Sequence, residues 1–292
     1  MGKKIFRPLD FSRVKTYPLK KRLSKVRQSL LGKRFQKGAR FRSFMHGLPD
    51  ILAAQNLKEI ARKVARAHRG DKTVLLGMGA HPIKVGLSPL IIDFMEKGII
   101  GAVAMNGAGI IHDFEIAFVG ETSEDVAASL KDGSFGMAEE TGAFLNRAIA
   151  GGNDREQGIG KAVGQAILMN RLPYHRLSIL AAGARLGIPV TVHVGIGTDI
   201  IHMHPGVNGK ALGEGSLRDF RTFASVVASL AGGVYLNVGS AVILPEVFLK
   251  ALSLARNLGH SVRNLTTMNL DFIPQYRPLT NVVGRPTLES GK

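Results

Sequence analysis

The sequence predicts an α/β fold in which one parallel β-sheet carries helices on both faces. Three observations predict it. Short apolar runs rich in strand formers recur along the chain. Segments with apolar residues at helical spacing alternate with them. Three of the strand-to-helix junctions are glycine-rich turns.

Taken in order, Pro49-Asp50 and Asn56 read as helix starts. Leu57, Ile60, Ala61, Val64 and Ala67 follow at helical spacing up to His68, and Gly70-Asp71 ends the helix. Thr73-Val74-Leu75-Leu76 reads as the first strand, broken at Gly77-Met78-Gly79. A helix is expected from about Ser88 to Lys97, with Gly98 as its stop. Ile99 to Met105 reads as a buried strand leading into Asn106-Gly107-Ala108-Gly109. Residues 122–172 read as wholly helical, opened by Thr122-Ser123-Glu124-Asp125. Ser178 to Leu186 reads as a helix and Val190 to His193 as a strand. Phe220 to Leu230 is a helix, Val234 to Val238 a strand, Pro245 to Leu258 a helix, and Leu265 to Leu270 a final strand. Ligands of such sheets bind beyond the carboxyl ends of the strands, which here means loops 77–86, 105–115, 193–205 and 237–246.

Charge divides the chain into a basic arm, 1–45, and a folded body, 46–292. The formal net charge is +17 over 292 residues. The arm holds 15 Lys and Arg against a single acid, Asp10, which leaves 24 bases and 21 acids for the body. Two readings of the arm stay open: it binds a polyanion such as nucleic acid, or it docks on a neighbouring subunit or lies solvated. Phe6, Phe11, Tyr17, Phe35, Phe41 and Phe44 are interleaved with its charges. The absence of cysteine excludes disulfides, thiolate metal sites and a cysteine nucleophile. No apolar run approaches the roughly 18 residues of a membrane span, and charges stand where a signal peptide needs an apolar stretch. A cytoplasmic protein is expected.

Four constellations could carry chemistry. The turns Gly77-Met78-Gly79-Ala80, Asn106-Gly107-Ala108-Gly109 and Asn237-Val238-Gly239-Ser240-Ala241 would each let backbone approach a phosphate at a helix start. The alternative for each is a tight turn with no ligand. His112-Asp113-Phe114-Glu115 sets a histidine and two acids beside the second turn, as site residues or as a first helical turn suited to the dipole. His193, Asp199, His202 and His204 lie within twelve residues and could transfer protons, ligate a metal, or serve structure. Lys84 sits in an apolar loop, where burial would favour the neutral amine needed to form an imine. Lys250 is a second candidate, and a solvated surface lysine is the alternative for both.

At these loops the sequence resembles the deoxyhypusine synthase family, especially its bacterial deoxyhypusine synthase-like relatives. The resemblance runs from about Thr73 to Pro286. It is carried by Ala104 through Glu115, by Ile188 through Pro205, by Asn237 through Val242, and by Tyr276-Arg277-Pro278. It implies a Rossmann-like NAD domain, a homotetramer, and transfer of an aminobutyl group from spermidine or a related polyamine to an amine acceptor. It places NAD on Gly79, Ala80, Gly107, Ala108, Gly109, Asp113, Gly239 and Ser240. Asp199 and Asp271 match acids that hold the polyamine, and Glu246 joins them as a candidate. His112 and His204 are the proton-transfer candidates, and Lys84 is the candidate imine lysine. The family's imine lysine follows a Trp-Gly pair. Here that stretch is Val282-Val283-Gly284-Arg285, and arginine keeps its proton and cannot replace lysine as a nucleophile.

Two other functions fit the same residues. One is a nucleotide-binding protein without transferase activity, whose arm engages RNA or an acidic partner. The other is a metal-dependent hydrolase using His193, His202 and His204. The leading reading assigns no metal.

Overall fold

A computed structural model describes residues 6–292; the first five residues of the expected arm lie outside the described residues. The chain divides into two compact units, one ending at Glu59 and one running from Ile60 to Lys292.

In the first unit the described part of the basic segment is largely exposed and takes 3-10 turns at Phe11–Arg13, Leu19–Lys21 and Gln28–Leu30. Dense like charge leaves little that could be buried together. Helix α1 (Phe41–Gly47) follows, with Phe35 edge-on to Phe44 at 5.8 Å between ring centroids. Backbone bonds from Lys33 N–H to the Gly47 carbonyl and from Asp50 N–H to the Leu30 carbonyl close this segment on itself.

The second unit is built on five parallel strands: β1 (Val74–Met78), β2 (Ala102–Asn106), β3 (Val190–His193), β4 (Val234–Val238) and β5 (Thr266–Leu270). Their order is β3-β2-β1-β4-β5. Met78 pairs with Met105 on one side and Val238 on the other, and Asn106 pairs with His193, so the carboxyl ends lie level. The order reverses between β1 and β4, which makes that edge the topological switch point.

The further α-helices among the described residues are α2 (Leu52–Arg69), α3 (His81–Lys84), α4 (Ser88–Glu96), α5 (Gly107–Val119), α6 (Val126–Ser129), α7 (Glu139–Asp154), α8 (Ile159–Met169), α9 (Ile179–Leu186), α10 (Gly209–Ala228), α11 (Ile243–Asn257) and the short α12 (Tyr276–Pro278). Side chains alternate across β1, so Leu76 and Met78 join one core while Leu75 joins the other. The first core continues through Met105, Ile110, Phe114, Leu145 and Ile179. The second gathers Phe223, Tyr235, Leu244 and Phe248. Tyr235 and Phe248 stack with centroids 3.9 Å apart. Both faces of the sheet are therefore covered, as the wholly buried strand β1 requires.

Two expected helices differ from those observed. The stretch 122–172 is not wholly helical: it holds α6, α7 and α8 with non-helical segments between them. Gly133 and Gly136 adopt left-handed φ values of 79° and 76°, and Glu156 one of 55°, so the backbone leaves the helical region between them. Helix α10 begins eleven residues before Phe220, at Gly209, where Asn208 caps Ala211 N–H. Its early glycines disguised those turns, since glycine lowers helix propensity. At Gly215 packing demands it: a Cβ there would lie 2.9 Å from Ile159 Cγ1.

A buried carboxylate locks the layers together. Asp219 Oδ2 on α10 accepts the backbone N–H groups of Gly160 and Val192, each at 2.9 Å, so α8 and β3 meet at one acceptor. Burial raises the Asp219 pKa to about 7, against the pull of those backbone donors.

Candidate functional site

Helix α5 starts directly on the last residue of β2, and this junction builds one wall of a cleft. Asn106 is extended and its Oδ1 accepts Gly109 N–H at 3.1 Å, capping the helix. Gly120, with φ 82°, ends the helix, and the chain turns back through Thr122 along its own side chains. Helix α7 and the loop before Ile200 complete the enclosure. The result is an open cleft of about 620 Å³, lined by Lys84, Ala108, His112, Glu115, Thr122, Thr141 and Asp199 among others.

The polar groups form one connected chain. His112 Nδ1 lies 2.6 Å from Thr122 Oγ1. The Thr122 hydroxyl donates to Glu115 Oε2, and the Thr141 hydroxyl donates to Glu115 Oε1 at 3.1 Å. Loss of solvation lowers the His112 pKa to about 4, with Lys84 and His81 adding repulsion, so the ring is neutral at neutral pH. Glu121, Glu124 and Glu140 also line the cleft, and Glu124 Oε1 accepts Gly136 N–H at 2.8 Å. Carboxylates therefore outnumber cations on its walls.

Asp199 closes the end of the cleft nearest β2. It is 7% exposed, and burial raises its pKa. Its Oδ2 has no hydrogen-bond partner among the described residues, and neither has His202 Nε2, 4.0 Å away. His202 Nδ1 accepts the N–H groups of Gly197 and Asp199 at 3.1 and 3.3 Å, so in the neutral ring the proton sits on Nε2. Donor and acceptor face each other across a gap too wide for a direct hydrogen bond.

The structure thus brings together Lys84, Ala108, His112 and Asp199, and sends the other candidates elsewhere. Asp113 corrects the expectation of cofactor contact. It is fully buried and is spent on the start of α9, taking the hydroxyl of Ser178 at 2.5 Å and the N–H groups of Ile179 and Leu180 at 2.7 and 3.2 Å. Burial raises its pKa to about 6. His204 lies outside the α5 cleft. It packs on Gly142, where a Cβ would fall 2.0 Å from its Nδ1, and its Nε2 is 2.8 Å from the Gly136 carbonyl. Glu246 is held on α11 by Lys250, by Arg277 at 3.4 Å and by Asn281 at 2.8 Å. These bonds, led by Lys250, lower its pKa. Asp271 is exposed and accepts Phe272 N–H at 2.8 Å. Neither acid lines the cleft. Arg285, standing where the family resemblance expects an imine lysine, donates to Asn281 Oδ1 at 2.8 Å. Lys84 is exposed, so the desolvation expected to activate it is missing.

The glycine turns serve packing. A Cβ on Gly79 would lie 2.2 Å from the Gly239 carbonyl oxygen, and one on Gly109 would lie 2.8 Å from Met105 Sδ. Gly239 has φ 61° and faces Pro82 and His81. Ser240 is buried and its Oγ accepts Leu244 N–H at 3.2 Å. A Cβ on Gly107 would fall 1.9 Å from Asp199 Oδ2, so a carboxylate stands at the first turn of α5, where a phosphate would need a positive field. In this arrangement the first turn of α5 does not fit the pyrophosphate of NAD. The histidines of the expected metal alternative also separate. His193 lies edge-on to Phe223, 5.1 Å between centroids, and its pKa falls to about 3 through burial. Among the described residues no group of three acids or histidines could hold a metal ion.

Sequence reasoning missed Thr122 and Thr141. Thr122 carried only a helix-start signal, and nothing local connects Thr141 to Glu115, 26 residues away.

No protein-family model matches the sequence, and no curated protein matches it. Solved structures similar to it include ArgZ, an arginine dihydrolase from Cyanobacteria, at 14% identity and TM-score 0.47, with 77% of this chain and 29% of that one covered. AgrE in ternary complex with ornithine and NAD+ is similar at 13% identity and TM-score 0.43, with 73% and 27% covered. A candidate deoxyhypusine synthase from Entamoeba histolytica is similar at 12% identity and TM-score 0.42, with 78% and 97% covered. The chain spans less than a third of the length of ArgZ and AgrE. Among the described residues no helix is long and apolar enough to cross a membrane.

Proposed function

We propose that the chain is an enzyme that binds a cationic amine of the polyamine class in the α5 cleft and uses His112 as the proton acceptor. One observation carries this reading: Asp199 Oδ2 is buried and unpartnered at the end of a cleft lined by four glutamates. A buried carboxylate oxygen without a donor costs free energy, and an ammonium group supplies the missing donor together with the opposite charge. The glutamates along the wall would hold further amino groups of an extended polyamine. His112, neutral and with Nε2 unbonded among the described residues, would accept an N–H and then its proton.

Titration calorimetry with spermidine and putrescine tests the reading. Binding is expected for the wild type, with weakening of roughly ten- to a hundredfold in Asp199→Asn, the range of one charge-assisted hydrogen bond. Equal affinity in the two proteins overturns it.

A second reading is NAD-linked aminobutyl transfer, as the family resemblance implies. The sheet order favours it, because β1 and β4 form a switch point of the kind that seats dinucleotides. Gly79, Ala80, Gly239 and Ser240 would hold the cofactor there, and bound NAD would supply a hydride acceptor. That requires the contact between Gly79 and the Gly239 carbonyl to open. Calorimetry with NAD, with and without spermidine, separates the readings: amine binding without NAD binding leaves only the first.

A further inference from the structure

We infer that Thr122 and Glu115 are positioning residues that fix His112 in its Nδ1–H tautomer and leave Nε2 as the lone-pair nitrogen facing the substrate; this rests on the amine-binding reading of the same cleft. The assignment follows from counting protons. An ionised glutamate can only accept, so the single hydroxyl proton of Thr122 goes to Glu115 Oε2. Thr122 Oγ1 then has only lone pairs to offer His112 Nδ1, 2.6 Å away. Nδ1 must therefore carry the hydrogen, and in a neutral ring Nε2 carries none. Thr141 holds the other oxygen of Glu115 at 3.1 Å, so the carboxylate cannot rotate away without losing a second bond.

The arrangement has the logic of an acid orienting a histidine, with a hydroxyl interposed. When Nε2 takes a proton from a bound group, the ring becomes an imidazolium whose Nδ1–H still points at Thr122. Glu115 holds the ring's orientation through the hydroxyl. No bond other than the transferred N–H is broken, and Thr122 keeps its own proton. Loss of solvation, with repulsion from the side of Lys84 and His81, keeps the resting ring unprotonated, so the Nε2 lone pair is available at neutral pH.

Nitrogen-15 NMR of histidine-labelled protein tests this without any substrate, with His112→Gln assigning the signal. At pH 7 the wild type should show a protonated Nδ1 and an unprotonated Nε2. Thr122→Ser should keep that pattern, and Thr122→Val should lose it. An Nε2–H tautomer or a charged ring in the wild type overturns the inference, as does an unchanged pattern in Thr122→Val. If the tautomer is found as stated and spermidine does not bind, the relay stands and the amine reading falls. If spermidine binds and the tautomer is reversed, the relay falls alone.

Discussion

Asp199 Oδ2 occupies the space that a β-carbon on Gly107 would need, with 1.9 Å between them. The first residue of α5 is thus a glycine because a carboxylate packs against it, and the helix start presents a negative group to the cleft. Gly107→Ala should push Asp199 out of place. Spermidine affinity should drop roughly ten- to a hundredfold, comparable to loss of the charge-assisted bond itself. Melting should reveal a modest cost of about 1–3 kcal/mol from overpacking. Unchanged affinity would detach Asp199 from binding.

Gly79 makes a comparable contact with rigid backbone, where nothing can rotate aside: its absent Cβ would meet the Gly239 carbonyl at 2.2 Å. Gly79→Ala should therefore destabilise the fold by about 2 kcal/mol or more in urea unfolding. Gly213→Ala on α10 is the control. Nothing lies within 4 Å of its added carbon, and the change should stabilise by about 0.5–1 kcal/mol through helix propensity.

Asp113 should matter for stability and not for binding. Asp113→Ala leaves the Ser178 hydroxyl and two backbone N–H groups of α9 without their acceptor. Buried donors left unpaired cost about 1–3 kcal/mol each, so a loss of about 3 kcal/mol or more is expected in thermal unfolding. Lowered spermidine affinity in protein that remains folded would return Asp113 to the site.

His112 predicts a pH dependence of stability. Its folded pKa is about 4, while the unfolded ring titrates near 6.5. Between those values the unfolded chain binds a proton that the folded one refuses, so this contribution is full above about pH 6.5 and declines as pH falls towards 4. Urea unfolding of His112→Gln should fall less steeply than wild type across that window. Asp219, with its pKa raised to about 7, contributes with the opposite sign, stability falling as pH rises from about 4 to 7. Only the difference between wild type and variant isolates the histidine. Parallel curves would show that His112 titrates normally.

Much of this architecture is legible in the sequence because burial leaves a periodic record. Five runs rich in strand formers became five strands, since strands covered on both faces are largely apolar. The glycines at 79, 107 and 239 were visible as turns, but their purpose was not: a missing side chain does not say whether a phosphate, a carboxylate or a carbonyl fills its place. His112, Lys84 and Asp199 could be picked out as candidates because each lies in a segment that follows the carboxyl end of a strand. Asp113, one residue from His112, looked equally suitable, yet one helical step turns it into the core beneath α9. Thr122, Thr141 and Glu115 meet only because α5, the returning loop and α7 pack side by side. Local sequence determines periodicity and turn chemistry. Which polar atoms share a proton depends on distances between separate elements, and only tertiary packing sets those.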